Sequence, residues 1–113
     1  MASKYSVLVT DLALLDLAEI SAFYLDLVDE ESAMRFEADA DATINSLATF
    51  PKNKPNFDQE NNLWRINLRD HKVSVIYTVK DNTYEVVAIA AFHALQDPQT
   101  YHSLIGERVS VDS

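Results

Sequence analysis

The sequence predicts an α+β fold: a strand, an α-hairpin, then a three-stranded antiparallel meander, β-α-α-β-β-β plus a short C-terminal helix. Three observations carry this. Between residues 63 and 94, apolar and polar residues alternate in runs 63–68, 73–79 and 84–92, and a two-residue period assigns alternate side chains to opposite faces of a sheet. Only short polar links, 69–72 and 80–83, separate the runs, and short links join antiparallel neighbours. Upstream, apolar residues recur at helical spacing in two stretches divided by Asp29-Glu30-Glu31.

Taken in order, residues 4–10 predict a strand, in which Tyr5, Val7 and Val9 alternate with Ser6 and Leu8. Thr10 or Asp11 can cap the helix that follows, because a side-chain oxygen accepts from the free N–H groups of a first turn. Residues 12–28 form that helix. Ala13, Leu17, Ile20, Tyr24 and Leu27 share one face, Leu14 and Leu25 widen it, and Asp16, Glu19 and Asp26 gather opposite. Leu12, Leu15 and Phe23 lie beside the acidic stripe, which is more apolar surface than one sheet face needs. Two readings stand: a helix clamped between sheet and second helix, or a partner surface that includes Leu12, Leu15 and Phe23. The acids at 29–31 suit the positive end of a second helix, whose stripe is Ala33, Phe36, Ala40, Thr43, Ile44 and Leu47. Pro51 stops it, and 51–62 is an irregular loop holding Lys52 and Lys54. After the meander, 99–105 predicts a short helix behind Pro98, ended by Gly106, with about 106–113 a mobile tail.

Composition narrows the function classes. At 113 residues the chain predicts one domain, 1–113, burying roughly 65% of its unfolded surface. Without cysteine there is no disulfide framework and no thiolate zinc site, and no His, Asp and Glu spacing suggests another metal. A single glycine, Gly106, excludes a Walker loop and a dinucleotide fingerprint, so no cofactor is expected. The net charge of −9 argues against strong direct nucleic-acid binding. The start MASKYSVLVTD has no secretory pattern and the longest apolar run, 86–92, is too short for a bilayer, so a cytoplasmic protein is expected.

Five segments in this order resemble the RelE/ParE superfamily of toxins from type II toxin–antitoxin (plasmid-stabilisation) modules. ALLDLAEISAFYLD is similar to the first helix, with Asp16, Leu17, Ile20 and Tyr24 in place. SAMRFEADADATINSLATFP is similar to the second, ending in Leu47, Phe50 and Pro51. WRINL resembles the strand that carries a basic residue, here Arg65, and VSVIYTV the strand with a tyrosine, here Tyr77. VVAIAAFHALQDPQTY resembles the last strand and its exit through His93, Asp97 and Pro98. The resemblance covers about residues 5–101.

The resemblance implies two activities. RelE-kind members are ribosome-dependent mRNA endonucleases with a basic cluster on the open face of the sheet; the candidates here are Arg65, His93 and Tyr101. That cluster is depleted: Ser74, Leu95, Gln96 and Asn67 stand where the RNases are basic. One group that stabilises developing charge is worth about 2.7–4 kcal/mol, so enzymatic activity is not expected. ParE-kind members bind a protein target, DNA gyrase, and need no such set. The expected function is therefore a ParE-like toxin neutralised by a cognate antitoxin, with Leu12, Leu15, Phe23, Arg65, Leu95 and Gln96 as antitoxin- or target-binding residues. Homodimerisation is left open. Since −9 opposes an acidic partner, the antitoxin is expected to be neutral or basic, or its interface dominated by Leu12, Leu15 and Phe23. The alternatives are the RelE-kind RNase and a non-toxic member of the fold kept as a binding module.

Overall fold

A computed structural model describes residues 4–69, 71–94 and 105–108. Strand β1 (Ser6–Val9) leads into helices α1 (Asp11–Leu27) and α2 (Glu30–Asn45), and α2 runs into a 3-10 turn at Ser46–Ala48. Strands β2 (Asn56–Asp58), β3 (Leu63–Asn67), β4 (Val73–Lys80) and β5 (Glu85–His93) follow. They form one five-stranded sheet in the order β1-β5-β4-β3-β2, with β1 parallel to β5 and every other pair antiparallel.

The helix starts follow the predicted chemistry. Thr10 Oγ1 accepts from the Ala13 amide at 3.2 Å, and Asp29 Oδ1 accepts from that of Ser32 at 2.7 Å. The hydrogen bonds to Ser32 hold the Asp29 carboxyl below its ordinary value. Ala13 and Ile20 of α1 and Phe36, Ala40 and Ile44 of α2 are buried. Ile20, Phe36, Ala40, Ile44 and Leu47 pack with Ile66, Val73, Val75, Tyr77, Val79, Val86, Ala88 and Ala91 on one face of the sheet. Tyr77 donates its hydroxyl to the Pro51 carbonyl at 2.6 Å, fixing the loop behind α2 to the sheet.

The other face holds Leu63, Ile76, Val87, Ile89, Ala90 and Phe92, with Ile105 of the C-terminal helix and Phe57 of β2 against them. Both faces of β5 are therefore buried, which is why 86–92 is a continuous apolar run. A bulge adjusts its register: Ile76 pairs with Ala90 while Tyr77 pairs with Ala88, leaving Ile89 as the extra residue. Ile89 and Ala90 consequently share a face, and beyond them the alternation is reset.

Several expectations are corrected. The first strand is shorter than 4–10, because Thr10 is spent on capping α1. The 51–62 loop contains β2, an edge strand that pairs irregularly with β3; its Asn and Asp carry little strand propensity. The C-terminal helix does not end at Gly106: residues 105–108 are helical and Ile105 is buried. Arg108 is thus no part of a mobile tail. Its Nη1 and Nη2 donate to Asp16 Oδ2 and Oδ1 at 2.6 and 3.1 Å.

That pair also corrects the placement of Asp16 on a solvated stripe. β1 leaves the edge of β5 after pairing Val9 with Ala88, and the Thr10 amide makes the last bond, to the Ala88 carbonyl. Beyond it, Asp16 Oδ2 accepts from the Ala91 amide at 3.0 Å and Arg108 Nη1 donates to the Ile89 carbonyl at 2.9 Å. The ion pair replaces the missing strand, since a buried strand edge must find partners for its backbone groups.

Asp16→Ala leaves a half-buried guanidinium and an edge amide without their acceptor. Urea unfolding should show a loss of about 2–3 kcal/mol; an unchanged midpoint would contradict the edge account. Burial pushes the Tyr77 phenol up to about 12 from an ordinary 10.0. The stability this contributes is complete below pH 10 and is lost as pH rises towards 12, on the order of 2 kcal/mol. Tyr77→Phe should flatten that part of the stability–pH curve.

Candidate functional site

Of the open-face candidates, Arg65 lies on β3 and His93 at the end of β5. Directly paired residues of an antiparallel ladder point to the same side. Arg65 pairs with Ile76, and Ile76 with Ala90, so Arg65 belongs to the face covered by Ile105. It is half-buried, and among the described residues no ion pair involves it. Asn67 and Ser74 are opposite each other on that same side, and Ser74 Oγ donates to Asn67 Oδ1 at 2.6 Å. Two positions at which the resemblance to the RelE-kind RNases implies cations are thus neutral and satisfied by each other.

His93 is on the opposite face. It pairs with Val73, a member of the helix-side core, and its ring lies 5.7 Å from that of Phe23 on α1. Burial, and secondarily the charge of Lys72, hold it below the ordinary histidine value. Its neutral form is thereby favoured. Arg65 and His93 therefore do not converge on one phosphate. Tyr101, Leu95, Gln96 and His102 lie outside the described residues.

A second histidine, in the polar 69–72 link, is enclosed. The His71 side chain is only 8% exposed, and Phe36 and Tyr24 meet its ring edge-on at 5.5 and 5.4 Å. Its Nε2 lies 2.9 Å from Asp39 Oδ2 and its Nδ1 3.2 Å from the Tyr24 hydroxyl. A carboxylate can only accept, so Nε2 donates to Asp39 and the Tyr24 hydroxyl donates to Nδ1 in the neutral ring. This links the β3–β4 turn to both helices. Lys52 donates to Asp81, which also accepts from the Tyr5 hydroxyl, and Lys54 to Asn53; neither lysine reaches the Arg65 side through these bonds.

The partner-surface candidates stand in solvent. Leu12, Leu15 and Phe23 are 48%, 58% and 43% exposed. Leu14 and Leu25, expected to widen the buried arc, are exposed as well, because Ala13, Ile20 and the flanking Leu17 and Tyr24 already fill the contact with sheet and α2. Among the described residues, no cluster of three His, Asp or Glu is placed to hold a metal ion, and no helix is long and apolar enough to cross a membrane.

The family model described as ParE toxin of type II toxin–antitoxin system, parDE, matches residues 7–98. The chain belongs to this family and is a toxin of the type II toxin–antitoxin class. Among solved structures it is similar to a chain of the chromosomal ParDE toxin–antitoxin system of P. aeruginosa, at 19% identity and a TM-score of 0.70, with 80% of this chain and 96% of that chain covered. It is also similar to a chain of the RelBE2 toxin–antitoxin complex of Mycobacterium tuberculosis, at 18% identity and a TM-score of 0.57, covering 85% and 98%. A mutant of the E. coli toxin RelE in its free state aligns at 14% identity and 0.51, covering 92% and 97%. These likenesses bear out the α+β, RelE/ParE-like fold. No curated protein matches the chain in sequence.

His93 should titrate below 6.5 in a histidine NMR pH series, because its neutral form is favoured by burial. A value above 6.5 would mean that an anion faces the ring, and would reopen its use as a cation.

Proposed function

We propose that the chain acts in the ParE manner: it binds a protein target in the cytoplasm, DNA gyrase, and is held inactive by a cognate antitoxin. Family membership supports the module, and the similar chains from toxin–antitoxin systems support the antitoxin. Leu12, Leu15 and Phe23, large apolar side chains left in water, are the proposed contact for a partner.

One observation favours binding over RNA cleavage: Arg65 and His93 occupy opposite faces of the sheet. Attack of a 2′-hydroxyl on its neighbouring phosphate needs proton transfer and cationic stabilisation at a single phosphate. Losing one stabilising donor costs about 10²–10³ in rate. Here the neutral Asn67–Ser74 pair occupies two of the places from which such donors would come.

The test is induction of this chain alone in a bacterial culture. Arrest with filamentous cells is expected, relieved by the product of an adjacent antitoxin reading frame, and Arg65→Ala should arrest growth equally well. Rapid loss of translation that Arg65→Ala abolishes would establish the RNase reading instead. Normal growth with folded protein present would make the chain a non-toxic binding module.

A further inference from the structure

The net charge is confined to one layer of the molecule. Residues 11–45, which span both helices, contain ten Asp and Glu and one cation, Arg35, giving −9, the whole of the chain's −9. The other residues hold eight acids and eight Lys or Arg. Arg35 is paired within its own helix, to Glu31 at 3.1 Å, and α1 contains no basic residue. The helical side is therefore an anionic surface and the remainder of the chain is neutral overall.

Within this surface the outward half of α1 is apolar. At 100° per residue, Leu15, Ala18, Ala22 and Leu25 form one stripe opposite the buried Ala13 and Ile20. Leu15 and Leu25 are 58% and 52% exposed, and both alanines are exposed too. The spacing of three, four and three is that of a helix-packing seam. Exposed Glu19 and Asp26 run along one side of it, and exposed Asp11 stands at its N-terminal end.

We propose that this face seats a cationic amphipathic helix of a partner protein. Its apolar side would lie on the stripe, and its Lys and Arg would flank it against Asp11, Glu19 and Asp26. This deepens the antitoxin reading by giving the chemistry of the segment the antitoxin contributes, and rests on that reading only for which protein carries the helix. Charge selects the occupant: a second copy docked symmetrically would oppose two acidic α1 helices, and an acidic segment would meet the same repulsion.

The probes are two synthetic helical peptides of about 20 residues with leucines at the same heptad positions, one filled with lysine and one with glutamate. Each is titrated against the full chain by fluorescence anisotropy. The lysine peptide should bind, with affinity falling about tenfold from low to high salt, and the glutamate peptide should not. Leu15→Ser and Leu25→Ser should each weaken binding at least about tenfold without altering thermal unfolding, since both side chains are already in water. Leu8→Ser, on the opposite side of the sheet, should change nothing.

Equal binding of both peptides, binding indifferent to Leu15→Ser, or no binding would overturn the proposal. So would a dimer in sedimentation that Leu15→Ser dissolves, which would give the face to a second copy. Growth arrest separates the two readings. A chain that binds the lysine peptide but arrests nothing overturns the toxin reading and leaves the surface. A chain that arrests growth but ignores the peptide overturns the surface alone.

Discussion

The Asp16–Arg108 pair holds the two ends of the structure together. A parallel strand that turns straight into a helix leaves its neighbour's edge half covered, and β5 is buried on both faces, so water is poorly placed to complete it. One carboxylate and one guanidinium, joined in two parallel bonds, take the Ala91 amide and the Ile89 carbonyl. The same bonds anchor the C-terminal helix, whose Ile105 closes the second core. The bulge at Ile89 lies at this point, so the edge contact and the reset of β5 occur in one place.

That reset has a functional consequence. It decides which side the end of β5 presents, and so sends His93 towards α1 and away from Arg65. The RelE/ParE-like fold is therefore present here without Arg65 and His93 on one face. What the chain offers instead is an asymmetric surface: helices that carry the whole net charge and expose several large apolar side chains, against a neutral remainder. Apolar area gives affinity when buried, and one-signed charge selects partners and speeds encounter.

The meander was legible because a period of two survives wherever one face is more buried than the other, as at Trp64, Arg65 and Ile66. Thr10 and Asp29 announced the helix starts through their side-chain oxygens. The surplus of apolar residues on α1 left open a clamped helix or a partner surface, and the structure leaves Leu12, Leu15 and Phe23 exposed, since a helix resting on one sheet and one helix has no room for them. Other features depend on distant chain. Nothing local in Ser6–Val9 names β5 as its partner, and Asn56–Asp58 forms a strand only because β3 offers an edge. Asp16 was grouped with Glu19 and Asp26 by its charge, yet on a helical wheel it lies only about 40° from the buried Ile20, on the border that meets the sheet edge. His71 sits in a polar link with no local sign of burial, yet Phe36 and Tyr24 arrive from both helices to enclose it. Arg108 gave no signal at all, because its partner is far away in sequence.

The central proposal is that this chain acts by binding a protein through its helical side and not by cleaving RNA. Purified chain incubated with translating ribosomes and a defined mRNA tests it most directly. The account predicts intact message at chain concentrations that arrest growth, for wild type and Arg65→Ala alike. Cuts at codon intervals that disappear with Arg65→Ala would contradict it, and would show that one arginine and the residues around it suffice for the reaction.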